Sequence, residues 1–133
     1  MIRNELRVVA AVMQKDGKVL ICQRKKSDRH PLKWEFPGGK VEQDEEPKAA
    51  LARELNEELG IKAEIGIEIA RYEYQHPSRA PILIMFYDVE KWIGEPANLI
   101  FQQIQWESPK QLPSFDFLEG DIDFVRRLAR GKR

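Results

Sequence analysis

Three glutamates in this chain are spaced as if to act together. Glu54, Glu57 and Glu58 stand at i, i+3 and i+4 in the run Arg53-Glu54-Leu55-Asn56-Glu57-Glu58. At about 100° per residue, those positions share an arc of roughly 100° on a helix. Like charges so placed repel by roughly 0.2–0.5 kcal/mol per pair, even on an exposed helix. Arg53, four residues before Glu57, relieves only part of that. Convergent carboxylate oxygens are the ligands a hard divalent cation takes, Mg²⁺ in particular, with phosphate oxygens completing its octahedron. The same spacing also describes a solvated acidic helix face, and three glutamates alone do not choose between the two. The local charge is lopsided: seven acids against three bases lie between Gly39 and Gly60, while Arg126, Arg127, Arg130, Lys132 and Arg133 crowd the other end.

The glutamates require a helix, and the sequence supplies one. Pro47 fixes a helical φ in a first turn, strong helix formers follow to Leu59, and Gly60 is a natural stop. Leu51, Leu55 and Leu59 repeat every fourth residue and form a stripe that must face a core. The stripe is centred roughly 120° from the acids, so the acids line a cleft beside that core. Upstream, the valine-rich run 5–14, the turn Lys15-Asp16-Gly17-Lys18 and the run Val19-Leu20-Ile21-Cys22-Gln23 predict a β-hairpin. Lys25 to Lys33 reads as loop, and Trp34-Glu35-Phe36 as a short extended piece stopped by Pro37, Gly38 and Gly39. Strands are expected at 62–74, 80–90 and 99–107, and a terminal amphipathic helix from Ile122 to Arg130. Hairpins dominate and no regular βαβ alternation appears, so the fold class expected is α+β, with a mixed or antiparallel sheet in one domain over residues 1–133.

Gly38-Gly39 lets backbone approach a ligand closely. Gly39, Glu45, Arg53, Glu54, Leu55, Glu57, Glu58, Gly60 and Ile61 together spell G-x5-E-x7-R-E-U-x-E-E-x-G-U, where U is a bulky aliphatic residue. This resembles the Nudix box, with all nine specified positions of the 23-residue pattern filled. The segment Trp34 to Lys40, the Gly94-Glu95-Pro96 piece and the stretch from Leu112-Pro113 to Leu128 are similar to the MutT branch of that family, whose members sanitise nucleotide pools. About Leu6 to Leu128 can be laid on the pattern.

The resemblance implies a Nudix fold, a mixed sheet sandwiched between helices in three layers (α/β/α). It implies hydrolysis of a nucleoside triphosphate to monophosphate and pyrophosphate with Mg²⁺, Mn²⁺ being the substitute. Glu54, Glu57 and Glu58 would bind the metal together with the Gly38 carbonyl. Glu54 or Glu57, or a water it orients, would be the general base, and Arg53 would hold the cluster in orientation. Glu45 would belong to the loop–helix architecture. The chain departs from its relatives in two places: no acid lies between Glu95 and Glu107, with Ile100 where MutT-like enzymes often carry a further glutamate, and Glu46 stands at the helix start, which in relatives is often capped by Thr or Ser. The resemblance places Arg24 at a phosphate contact, Gly39 and Lys40 beside the nucleotide, and His76 and Arg79 at the flanks of the base. Phe36 or Trp34 would pack near the base, although core packing suits Trp34 better. Asp121 falls where the family reads the base, and an ionised carboxylate accepting two hydrogen bonds suits the two donors of guanine. Asp121 also stands where an Asp would cap the last helix.

Composition bounds the rest. The 133 residues carry 22 Lys+Arg and 22 Asp+Glu, a net charge of zero that removes the global field of a dedicated nucleic-acid binder. A 42% hydrophobic content and a mean hydropathy of −0.54 fit a soluble globule. One cysteine, Cys22, excludes an intrachain disulfide and reads as a small buried hydrophobe. No apolar run reaches membrane length and no signal-peptide cleavage site follows the N-terminal segment, so a cytoplasmic location is expected. The expected partner is a small nucleotide, with no stable nucleic acid and no membrane, and the chain acts as a monomer or homodimer. dGTP or 8-oxo-dGTP is the expected substrate. The alternatives are a nucleotide sugar, a dinucleoside polyphosphate, an RNA 5′ end or CTP, and a non-catalytic nucleotide-binding module.

Overall fold

A computed structural model describes residues 5–75, 77 and 79–131. The organising element is β1 (Leu6–Lys15), whose residues Val9 to Met13 are buried. It turns through Asp16 and Gly17, both at positive φ (54° and 76°), into β2 (Lys18–Gln23), with Lys15 opposite Lys18. Two successive left-handed residues suit the twist of a tight hairpin, which is why Asp-Gly stands there. β3 (Trp34–Glu35) and β4 (Gly38–Lys40) follow, then α1 (Pro47–Leu59), β5 (Lys62–Glu64), β6 (Glu68–Tyr74), β7 (Ile82–Val89), β8 (Lys91–Ile93), β9 (Gln103–Glu107) and α2 (Ile122–Ala129). Short 3-10 turns at Pro109–Ser114 and Glu119–Asp121 lead into α2.

Seven strands form one mixed sheet in the order β3-β2-β1-β7-β6, with β4 also on β1 and β9 on β2. β1 and β7 run parallel from Leu6↔Ile82 to Met13↔Val89, and the other pairings are antiparallel. β5 and β8 make a separate two-stranded ribbon. α1 covers one face: Leu51, Leu55 and Leu59 are fully buried against Val9, Ala11, Met13, Leu20 and Cys22. α2 covers the other, where Phe36, Phe86, Phe117 and Phe124 pack with Val12 and Ile21. The expected three-layer arrangement is the one observed.

Three local expectations are corrected. The single strand expected over 62–74 is two strands, because the chain crosses at Gly66, whose N–H donates to the Asp88 carbonyl (2.8 Å) in a space that a Cβ would fill. The strand expected over 99–107 begins only at Gln103. Before it, the chain satisfies carbonyls at the end of α1 instead, with Ala97 N–H on Leu59 O (2.9 Å) and Leu99 N–H on Glu58 O (3.2 Å). β8 was not expected as a separate strand. It pairs with β5, far from it in sequence.

Candidate active site

The site is built where α1 crosses β4. β4 lies against β1, with Gly39 opposite Val9 and Gly38 opposite Ala10. A Cβ on Gly38 would run into the Val9 carbonyl, and one on Gly39 into the Glu54 carboxylate. At Gly38 the neighbour is β1 backbone, which leaves no room for a side chain, whereas at Gly39 a Cβ would push the Glu54 carboxylate aside. The sequence reading of Gly38-Gly39 as a place of close approach is explained by the glutamate as well as by a ligand.

The leucine stripe that anchors α1 turns the three glutamates toward this strand to different depths. Glu58 is buried at 8% exposure, the Glu54 side chain is 16% exposed and that of Glu57 56%. Glu58 accepts one hydrogen bond, from the Gly38 N–H (3.2 Å). Burial, with Glu54 as the next contributor, pushes its carboxyl up to about 9, against the pull of that N–H. Burial also raises Glu54, opposed by Arg53 and reinforced by Glu57. In the absence of a cation, burial and repulsion therefore draw the Glu54 and Glu58 carboxyls toward their protonated forms. Among the described residues no three His, Cys, Asp or Glu side chains already converge to hold a metal ion. The donor set nevertheless fits one: carboxylate oxygens, partly desolvated and short of positive charge, suit a hard divalent cation that would displace those protons.

Arg53 ties the helix to the loop ahead of it. Its Nε and Nη2 make a two-pronged pair with Glu45 (2.8 and 3.0 Å), Nη2 also donates to the Lys40 carbonyl (3.2 Å), and Nη1 donates to Glu57 (3.3 Å) and lies 3.8 Å from Glu54. Hydrogen bonding to Arg53 holds the Glu45 carboxyl down at about 2, helped by the Glu42 N–H. The expected orienting role of Arg53 and the architectural role of Glu45 are thus one interaction.

The residues expected around a nucleotide fall into three groups. Gly39 and Lys40 lie on β4 beside the glutamates. Arg24 leaves the end of β2 and is held by Asp28 (2.7 Å from Nη2, 2.8 Å from Nε) and by Glu35 (2.9 Å from Nη1). Asp121 is buried at 7% exposure in the turn before α2 and makes no side-chain cap. The helix-cap alternative is therefore set aside. Burial, with Glu35 adding and Arg24 opposing, pushes its carboxyl up to about 8. This corrects the expectation of an ionised acceptor: near pH 7 Asp121 is mostly a neutral acid.

Phe36 is also corrected. It is 3% exposed, its ring enclosed by Phe86, Phe117 and Phe124 at centroid distances of 5.4–5.8 Å, so it spends its surface on the core. Trp34 likewise packs edge-on against Phe115, as expected. Arg79 is exposed, and the structure places no contact between it and the glutamates; His76 lies outside the described residues. Ile100 is 48% exposed, on a turn where Asn98 brackets Phe101 with two hydrogen bonds (2.7 and 2.9 Å). A hollow of about 450 Å³ between the first hairpin and the end of α2 has Val12, Val19, Leu128 and Arg130 in its wall and no carboxylate, so it is not where this chemistry sits.

Sequence reasoning missed Glu35. Burial raises its carboxyl to about 7 against the pull of Arg24. A charge between two aromatics in Trp34-Glu35-Phe36 was the signal that could have found it. When both flanking rings face one core, the charge faces the other side of the sheet.

Comparison with known proteins agrees with this geometry. The NUDIX domain model matches residues 3–128. The chain is 37% identical over 120 residues to the CTP pyrophosphohydrolase of Escherichia coli K12, covering 90% of this chain and 88% of that protein. It is 33% identical over 128 residues to the 8-oxo-dGTP diphosphatase of the same organism, covering 96% and 98%. The crystal structure of the MutT protein from Methanosarcina mazei superposes with a TM-score of 0.84 over 98% of this chain and 97% of that one, at 23% identity, a likeness of fold. The chain belongs to the NUDIX domain family and is a MutT-like hydrolase of pyrophosphate bonds.

Proposed function

We propose that this enzyme hydrolyses nucleoside triphosphates to the monophosphate and pyrophosphate with Mg²⁺, or Mn²⁺ in its place, and that Asp121 reads the base of 8-oxo-dGTP, dGTP or CTP. The observation that carries the base reading is the burial of Asp121. A neutral carboxylic acid offers one donor beside one acceptor. Ordinary guanine presents two acceptors, O6 and N7, on one edge and O6, N1–H and the 2-amino group, an acceptor beside two donors, on another. Oxidation at C8 puts a proton on N7, so that edge becomes a donor beside an acceptor. Cytosine presents the same pair, its 4-amino group beside N3. A protonated Asp121 therefore matches both bases named among the relatives, and the O6/N1–H pair of ordinary guanine as well.

Glu54, Glu57, Glu58 and the Gly38 carbonyl would hold the metal, which supplies charge neutralisation at the phosphates and a more acidic water. The rest of the chemistry belongs to side chains. Glu54, placed against Gly39 and with its carboxyl raised by burial, is suited to accept the proton of the attacking water. Exposed Glu57, steadied by Arg53, is the other candidate. Arg53 keeps the helix, the Glu45 loop and the β4 backbone in one geometry. Gly39 and Lys40 bring the main chain up to the phosphates.

The test is kcat/KM on 8-oxo-dGTP, CTP, dGTP and a nucleotide sugar, with pyrophosphate and phosphate release measured separately. Pyrophosphate release from the triphosphates is expected, and Asp121→Ala should lower kcat/KM on them by about 10-fold or more, the worth of one well-made hydrogen-bond pair. Asp121→Asn, which keeps a donor and an acceptor, retains most of that efficiency. Release of phosphate, or an Asp121→Asn variant as impaired as Asp121→Ala, contradicts the reading.

A further inference from the structure

The end of α1 is the part of the site least able to hold itself. Glu57 and Glu58 stand in its last turn, where the final carbonyls have no helical partners and the macrodipole presents partial negative charge. Acids so close repel one another, and the last turn carries no basic residue of its own. Arg53 reaches Glu57 only from the turn before (3.3 Å). Gly60, left-handed at φ 69°, closes the helix by donating its N–H to Asn56 O (3.0 Å). The carbonyls of Glu58 and Leu59 are met from outside the helix. Leu99 N–H reaches the first at 3.2 Å and Ala97 N–H the second at 2.9 Å, both from the segment between β8 and β9.

Those two donors flank Asn98, whose side chain takes both backbone groups of Phe101. Its Oδ1 accepts the Phe101 N–H (2.7 Å), and its Nδ2 donates to the Phe101 carbonyl (2.9 Å). Phe101 is buried in the same core as Leu51, Leu55 and Leu59. The next residue is joined to β2, with Gln102 N–H on Gln23 O (2.9 Å). Asn98 thus couples a ring fixed in the core to the two amides that cap α1. Leu99 and Ile100 are 56% and 48% exposed, so burial of their side chains does not hold this turn; the Asn98 bonds and the Phe101 ring do. No acid lies between Glu95 and Glu107, so the segment brings the glutamates no further carboxylate. What it brings is backbone.

We propose that Asn98 is a positioning residue for the metal site: by clamping Phe101 it keeps the Ala97 and Leu99 N–H groups on the last carbonyls of α1, and so keeps the turn that carries Glu57 and Glu58 ordered for a divalent cation. The proposal rests on the reading of Glu54, Glu57 and Glu58 as metal ligands. Asn98 touches neither metal nor substrate in this role. It acts through the helix end, offsetting the repulsion and the dipole that would otherwise fray it.

The experiment compares wild type with Asn98→Ala, Asn98→Ser and Leu128→Ala. Two quantities are read: the Kd of Mn²⁺ by electron paramagnetic resonance, and amide hydrogen exchange at Ala97 and Leu99 in chelator by NMR. Asn98→Ala is expected to speed that exchange and to weaken Mn²⁺ by about 10-fold, the lower end of what losing a group that supports a metal ligand costs. Asn98→Ser, whose hydroxyl still accepts the Phe101 N–H, stays within about 3-fold of wild type while remaining measurably weaker. Leu128→Ala, in the core on the other face of the sheet, lowers the melting temperature but leaves Mn²⁺ affinity and both amides as they were. Should Asn98→Ala fail to fold, Asn98→Ser carries the comparison: faster exchange with weaker Mn²⁺ supports the proposal, and a Ser variant unmoved in both overturns it. Faster exchange with Mn²⁺ affinity unchanged overturns it, as does a Leu128→Ala variant that loses Mn²⁺ as Asn98→Ala does. A wild type that binds no Mn²⁺, or binds it no better than Glu58→Gln, overturns the metal reading and this one together. A wild type whose Mn²⁺ affinity depends on Glu58 but not on Asn98 overturns the role of Asn98 alone.

Discussion

Replacing Glu58 by glutamine should stabilise the metal-free protein while weakening its hold on metal. Glu58 is raised to about 9 in the fold, against an ordinary 4.5 in the unfolded chain. Between those values the native state holds a proton that the unfolded state has released. A raised carboxyl contributes stability that is fully present below about 4.5 and is lost as pH rises toward 9. At pH 7 the gap above 4.5 is about 2.5 pH units, a limiting cost of about 3 kcal/mol at 1.36 kcal/mol per unit. Water and neighbouring charge in the open cleft screen part of it, leaving about 1–2 kcal/mol. Glu58→Gln removes that cost and still offers an oxygen to the Gly38 N–H.

At roughly 4 °C per kcal/mol for a chain of this size, the variant should melt about 4–8 °C above wild type at pH 7 in chelator. The two should converge near pH 4.5, where wild type is protonated in both states. Added Mn²⁺ should reverse the order: wild type at 100 times its Kd gains about 2.7 kcal/mol, and the variant, short of one carboxylate, gains less. Differential scanning fluorimetry across pH, with and without Mn²⁺, reads all three. A variant that melts at or below wild type in chelator at pH 7 would refute the claim that Glu58 is held against its preferred charge state.

Two other substitutions separate the site from its scaffold. Gly39→Ala puts a methyl group into the Glu54 carboxylate, and should cost about 10- to 100-fold in Mn²⁺ affinity and in kcat/KM, with a melting temperature within about 3 °C of wild type. Leu55→Ala, at a fully buried position of the α1 stripe, should lose about 2–5 kcal/mol in urea unfolding while Mn²⁺ affinity, measured where the variant is still folded, changes less than for Gly39→Ala.

What could be read from the sequence was what short spacing determines. The Asp16-Gly17 turn, the Pro47–Leu59 helix, its leucine stripe and the glutamates beside it are each fixed within a dozen residues, and each stands as expected. The parallel pairing of β1 with β7 joins segments about 75 residues apart, and no local pattern marks a partner at that distance. Leu99-Ile100-Phe101 misled for the converse reason: the residues favour a strand, but their backbone is drawn to the carbonyls at the end of α1. Asp121 could be placed from sequence, but its protonation could not. That depends on burial and on the charge of Glu35, which sits on β3 between β2 and the segment before α2.

The charge arrangement explains why such a cleft needs a cation to meet a polyanion. The cations near it are largely committed: Arg53 to Glu45 and the Lys40 carbonyl, Arg24 to Asp28 and Glu35, Lys33 to Asp116. Among the described residues the cation that approaches Glu54 is Arg53, at 3.8 Å, while Glu57 adds negative charge beside it, and Glu58 accepts the Gly38 N–H. A triphosphate entering this cleft alone would add negative charge to a region that already holds protons to reduce its own. A divalent ion reverses both signs: it displaces those protons, satisfies the carboxylates and presents positive charge to the phosphates. With Ile100 where the family resemblance leads one to look for a further acid, three glutamates and a backbone carbonyl would leave more of such an ion's coordination to substrate oxygens and water. Metal and triphosphate should therefore bind with positive cooperativity, because each supplies the charge the other lacks.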